Sequence, residues 1–366
     1  MRYALPAILI YTWVLTSCSD DYSVTNSESA EPSETDPTIE SSPVDASVTN
    51  STIGPSPADA TVAESAFITG GDITNALATS RSGDCTTHAN TFTSNVTDLT
   101  NGRDFSGAVT ITVSGSKCVI SSNGIPNHDM GEGASFPNQI LEVSQRYEIP
   151  IEPVIAINST TNIWKASVVL LNGGVVDILP AACYDVGNEP LGREMIGCGP
   201  DQLEHPWRHD PMSPLNSFGT DIHNAHVQPN GLYHYHANPM AIFNNDCAST
   251  TSASPVIGFA ADGFPVYGSC ISENGSLRNV QSSYQLKDGG GPRQAVSGYT
   301  TPSAGTGNIA SANYDGQFRG DYEYVAGSGD LDECNGMTIE GQYGYYITDS
   351  FPWVLNCFSG TPDATW

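Results

Sequence analysis

One turn in the stretch Asp221–His236, DIHNAHVQPNGLYHYH, fixes how a long piece of this chain can pair with itself. Gln228-Pro229-Asn230-Gly231 carries a proline suited to the first central position of a type I turn. Its glycine suits the left-handed position that follows. This predicts a three-residue hairpin loop with a bulge. A two-residue Asn-Gly loop does not fit, because it needs an N–H from Pro229, which has none. The three-residue loop sets Gln228 opposite Leu232, His226 opposite His234 and Asn224 opposite His236. His234 and His236, two apart on a strand, share a face. Imidazoles from His226, His234 and His236 therefore converge on one side, with His223 nearby, while Tyr233 and Tyr235 pack on the other. A slip of one residue sends His226 to the tyrosine face and dissolves the group.

Four of the chain's eight histidines lie in this stretch. Neutral imidazole is the commonest side-chain metal ligand, and three on one small surface suit zinc or copper. The same residues also read as ordinary polar positions of a hairpin, bonded to backbone and water. The density of histidine, with His-x-His on a strand, favours the divalent transition metal. His128 is placed to complete such a site from a distant segment. Asp221, Asp262, Tyr233 and Tyr235 are candidate additional or orienting groups, although Asp262 beside Gly263 also reads as a turn residue. His205 and His209 are spaced i, i+4, but Pro206 and Pro211 argue for loop there. His88 reads as a surface residue.

Asp330, Asp332 and Glu333, in a glycine-rich context, admit a calcium site or a solvated acidic turn. They do not follow the spacing of an EF-hand loop. No nucleophile stands out: there is no G-x-S-x-G and no glycine-rich phosphate loop opening a helix.

At the N-terminus Arg2 precedes the apolar run 4–15, too short to span a bilayer as a mature helix. Leu15-Thr16-Ser17-Cys18 resembles a bacterial lipobox. Residues 1–17 then form a lipoprotein signal peptide, and Cys18 carries the lipid, the chain's only contact with the membrane. Residues 18–63, rich in Ser, Thr, Pro and acids, lack the apolar surface to offset chain entropy and read as a disordered tether. This predicts an exported protein, lipid-anchored at the outer membrane or cell surface.

The remaining eight of nine cysteines are an even number in an exported chain, which predicts a disulfide framework. Neighbour pairing gives Cys85–Cys118, Cys183–Cys198, Cys247–Cys270 and Cys334–Cys357. None forms a C-x-x-C, so a cysteine-rich zinc site is not expected. A formal charge of −28, from 12 Lys and Arg against 40 Asp and Glu, excludes a nucleic-acid partner held through its phosphates.

Residues 64–366 read as mainly β. Residues 108–113 alternate Val109, Ile111 and Val113 with small residues and turn at 114–116 into 118–120. Residues 167–171 and 175–179 flank Asn172-Gly173-Gly174 as a hairpin. An apolar run over 255–267 breaks at Asp262-Gly263, and 341–348 is a further strand. No helical period holds over twelve residues. The expectation is a disulfide-stabilised, β-sandwich-like domain of short strands and long loops.

Several blocks together resemble the YHYH domain, whose name is the tetrapeptide at residues 233–236. They are residues 122–129 (SNGIPNHD), 223–236, 257–268 (IGFAADGFPVYG), 282–287, 314–316, 321–336 and 348–363. The resemblance covers roughly the last two-thirds of the chain, from about residue 108. It implies a domain of secreted and surface proteins, and it names the domain more securely than an activity. Where relatives carry a further Tyr-His-Tyr, this chain has Tyr343-Gly344-Tyr345, so any role for a histidine there is absent.

These readings converge on a surface-tethered β domain that binds a transition metal through its histidine hairpin. Two others share the same residues. One is a metal-dependent enzyme with an open coordination position; the other is a non-catalytic adhesion or matrix module whose acidic loops bind calcium or a glycan. Protein, glycan and small-molecule partners are all left open.

Overall fold

Alternation decides the first sheet. Along Arg103–Ser114 the side chains of Phe105, Val109 and Ile111 turn inward and their neighbours face solvent. The strand pairs antiparallel with Thr91–Asp98 on one side and Lys117–Ser122 on the other, and Gln145–Pro150 and Gly71–Asp72 complete five strands. Val113, expected to continue the inward row, lies at the strand's exposed end. This computed structural model describes residues 67, 69–161, 166–193 and 197–366. The expected signal peptide, lipid-bearing Cys18 and tether lie outside the described residues. No described helix is long and apolar enough to cross a membrane.

The second sheet is built from runs without alternation, because both of its faces are covered. Its eight strands run from edge to edge as Gly336–Ile339, Gln342–Tyr346, Pro265–Tyr267, Val256–Ala260, Val168–Leu170, Val175–Val176, Tyr233–Tyr235 and Ala225–Val227. Val168, Val169, Val256, Ile257 and Phe259 are fully buried. The hairpins expected across Asn172-Gly173-Gly174 and Asp262-Gly263 are both present. Inner faces of the two sheets feed one apolar core. The turn of the first hairpin docks on the five-stranded sheet, where Ser122 Oγ donates to the Gly173 carbonyl at 2.8 Å. Apart from Phe67 and Thr69, helix among the described residues is confined to short 3-10 turns, so the fold is mainly β, as the sequence pattern indicates.

All four disulfides form between sequence neighbours: Cys85–Cys118, Cys183–Cys198, Cys247–Cys270 and Cys334–Cys357. Each closes a loop of 15 to 33 residues, worth about 3 kcal/mol if loop entropy is the whole effect. They pin long connections that carry little regular structure.

A second, smaller apolar cluster of Tyr184, Trp207, Ile309, Tyr314 and Phe318 organises the loops around residues 180–210 and 290–321. Beside it the buried guanidinium of Arg293 donates to both oxygens of Asp321 at 2.8 Å, and Asp321 also accepts the Gly316 and Phe318 amides. This closed network fixes the approach of residue 319 to the larger sheet.

Candidate metal centre

The hairpin forms in the register its turn dictates. Gly231 N donates to Gln228 O and Gln228 N to Leu232 O, both at 2.9 Å. Gly231 has φ +90°, and a Cβ there would lie 2.6 Å from the Leu141 side chain. Only glycine meets both conditions. His226 pairs with His234, and the His236 amide donates to Asn224 O. On its other side the 233–235 strand pairs in parallel with Val175–Val176, so it cannot slide without breaking a second ladder.

Three imidazole rings meet as a result. Their centroids are 4.6 Å apart for His226–His234, 4.7 Å for His226–His236 and 4.8 Å for His234–His236, all edge to face. One ligating nitrogen from each lies within 4.8 Å of the others. His234 and His236 are buried and His226 is partly covered.

Backbone carbonyls orient the rings. His226 Nδ1 donates to Phe218 O at 2.9 Å and His234 Nδ1 faces Leu232 O at 3.3 Å, while the buried Nδ1 of His236 has no hydrogen-bond partner. A proton held on Nδ1 leaves Nε2 as the lone-pair nitrogen, which is how metal-binding histidines are commonly set. His226 Nε2 and His236 Nε2 face each other at 3.0 Å. A neutral His236 with its proton on Nε2 donates to the His226 lone pair across that distance, and a cation there takes the place of that proton. Burial disfavours an imidazolium here: it lowers His226, pushes His234 down to about 3, and takes His236 well below its ordinary range, where the neighbouring histidines add to the effect. The geometry matches a metal: tetrahedral ligands about 2.0 Å from zinc are separated by roughly 3.3 Å.

The opposite face carries the tyrosines and a different pair of histidines. Tyr233 donates to Asp221 Oδ2 at 2.8 Å, and the same carboxylate takes the amides of Gly131 and His223. Tyr235 Oη sits 2.6 Å from His128 Nε2, while His128 Nδ1 donates to the Asp129 carbonyl at 2.7 Å. His128 therefore accepts from the tyrosine. The ring of His223 lies on His128 with centroids 3.8 Å apart, and its Nδ1 bonds the Pro239 carbonyl. Asn224 takes φ +57° between His223 and the strand. That left-handed residue turns His223 away from the three-histidine side. His128 and His223 thus stand together, apart from the other three, and Asp221, Tyr233 and Tyr235 hold the hairpin from behind.

Other expected site residues find structural partners. Asp262 accepts from Tyr345 Oη at 2.6 Å and from the Gly360 and Phe264 amides, with no imidazole beside it. Asp330 takes both terminal nitrogens of Arg278 at 2.7 Å, Asp332 takes Tyr343 Oη, and Glu333 takes Ser159 Oγ. These three carboxylates do not converge on a common point. His205 packs on Tyr299 and His209 on Phe318. His88, expected at the surface, is buried against the Phe259 ring, with Nε2 on Ser82 O. Nothing in the residue pattern pointed to the Phe218 and Leu232 carbonyls, because a carbonyl has no side-chain signature.

The sequence profile of the family described as YHYH protein matches residues 146–360. The chain belongs to the YHYH family. Its matched region contains the whole histidine hairpin and the larger sheet but starts downstream of residues 122–129, one of the blocks on which the resemblance rests. No curated protein and no solved structure matches the chain significantly.

Burial of the YHYH domain's neutral histidines has a consequence for acid stability. His128 is pushed down to about 3, first by desolvation and then by His223. The unfolded imidazole takes a proton below about pH 6.5 while the folded one does not, so its stabilisation is present above that pH and lost as pH falls toward 3. His128→Asn should therefore cost most at pH 7 and progressively less at pH 5 and 4, on the order of a few kcal/mol in all. Urea unfolding of metal-free protein measures this, and a cost independent of pH would contradict it.

Proposed function

We propose that this YHYH protein binds one divalent transition ion, zinc or copper, through His226, His234 and His236. The supporting observation is the contact of His226 Nε2 with His236 Nε2 at 3.0 Å, with the third imidazole against both. The donor set is all nitrogen and borderline in softness, which suits these ions rather than calcium or magnesium. Bound there, the ion supplies a Lewis-acid or redox centre. The three residues hold it, and the carbonyls of Phe218 and Leu232 keep the donors aimed. Three protein ligands leave a position that a structural four-ligand site would fill, so turnover is the next question once loading is established.

Calorimetric titration of chelator-stripped protein with zinc and with copper tests this. Wild type should take up one ion, and His234→Ala or His236→Ala should each lose at least ~100-fold in affinity with the fold intact. Tyr233→Phe should change binding little. Because burial keeps the imidazoles neutral well below their ordinary range, loading should persist at pH 5 rather than fade near pH 6.5. Unchanged affinity in both alanine variants would rule the site out.

We further propose that the protein works outside the cell, anchored by lipid on Cys18 after cleavage at Leu15-Thr16-Ser17-Cys18. Four disulfides support an oxidising compartment. Cys18→Ala should move the protein from the detergent phase to the aqueous phase on partitioning. Retention in the detergent phase would contradict the anchor.

A further inference from the structure

A cavity of about 270 Å³ lies between the loops that follow the larger sheet, with Arg208, Arg319, His205, Asn356, Tyr284 and Tyr322 in its walls. Its composition runs against the chain as a whole. A protein of charge −28 has only 12 Lys and Arg, yet two guanidiniums share this space, and Arg319 is among the causes that push Arg208 down to about 10. Both are still cations at neutral pH. Arg208 is held by backbone, its Nη1 donating to the Pro180 carbonyl at 2.5 Å and its Nη2 to the Gln202 carbonyl at 2.6 Å, and Arg319 is the second cation of the wall.

Arg319 is held in place by neutral acceptors and an aromatic ring. Its Cζ lies 4.8 Å above the Phe351 ring, Nη2 donates to Asn356 Oδ1 at 2.9 Å, and Nη1 donates to the Ile178 carbonyl at 3.3 Å. The ion pairs of Lys117, Arg146, Arg278 and Arg293 do not involve Arg319. The acid that favours its charge, Asp210, is itself held by the Trp353 indole at 3.0 Å. Asn356 is locked in turn by donating to Tyr284 Oη at 2.8 Å. His205 accepts the Trp207 amide on Nδ1 at 3.1 Å, so its proton sits on Nε2 as a further donor. Tyr322 stacks parallel on Phe351 at 4.3 Å and forms an aromatic wall beside the cation.

We propose that this cavity binds a small organic carboxylate, its oxygens on Arg319 with Arg208 nearby and its body against the Tyr322–Phe351 stack. A planar guanidinium fork matches a carboxylate's two oxygens. Exposed Glu204 at the rim, and Asp177 and Asp210 at longer range, favour a single negative charge over a dianion. The size suits a ligand at the lower end of ordinary small-molecule pockets. The site is independent of any ion at the histidine hairpin.

Calorimetry on disulfide-intact, chelator-stripped protein tests it, with benzoate, phenylacetate and galacturonate as probes, each beside its methyl ester, and with sulfate as the inorganic anion. At least one acid should bind in the millimolar range or tighter, with its ester and sulfate at least ~10-fold weaker. Arg319→Lys should lose about 10-fold, since the fork is gone while the charge stays. Exposed Glu204→Gln, which leaves the fold untouched, should tighten the acid by roughly two- to five-fold and leave the ester unchanged. The proposal is overturned if none of the acids binds, if esters or sulfate bind equally well, or if Glu204→Gln leaves acid affinity unchanged.

Discussion

The pairing of His226 with His234 rests on a small set of backbone constraints that all point the same way. Pro229 cannot donate, Gly231 alone tolerates φ +90° against Leu141, and the Gln228–Leu232 bond closes the loop. The parallel ladder to Val175–Val176 then locks the strand from its other side. Because side chains alternate along a strand, the same register that gathers three imidazoles also sends Tyr233 and Tyr235 into the core, where Asp221 and His128 receive their hydroxyls. Neither face can be built without the other.

Burial sets the chemistry of both faces. His226, His234 and His236 are kept neutral by desolvation and have little affinity for protons, which leaves their nitrogens to a cation. Arg319 contributes from a distance, since its charge also opposes protonation of His236. Within an acidic chain the fold therefore separates two environments: a nitrogen-rich point suited to a metal ion, and a guanidinium-walled cavity suited to an anion. Segments far apart in sequence meet at the second, as in the bond from Arg319 to Ile178, 141 residues away.

What the sequence made legible follows from which residues carry strong local preferences. Proline and glycine have private backbone requirements, so the turn, its register and the three-imidazole face were all readable. Short disulfide loops made neighbour pairing a sound guide. The strand Thr91–Asp98 was harder to see, because Ser94 and Asp98 occupy inward positions and interrupt the apolar alternation. His223 was placed by proximity along the chain, but one left-handed residue, Asn224, moved it to the other face. Asp262 read equally as a turn residue or a partner for an imidazole; its contacts are to Tyr345 and backbone amides, which lie too far along the chain for spacing to reveal. The cavity around Arg319 had no motif, since its walls come from loops whose meeting depends on the whole fold.

The central claim is that one register aims three imidazole nitrogens at a single point. X-ray absorption at the zinc edge of the zinc-loaded protein measures this most directly. The account predicts three imidazole nitrogens at about 2.0 Å, one further light atom and no sulfur. A shell with fewer than two imidazoles, or one containing sulfur, would contradict it.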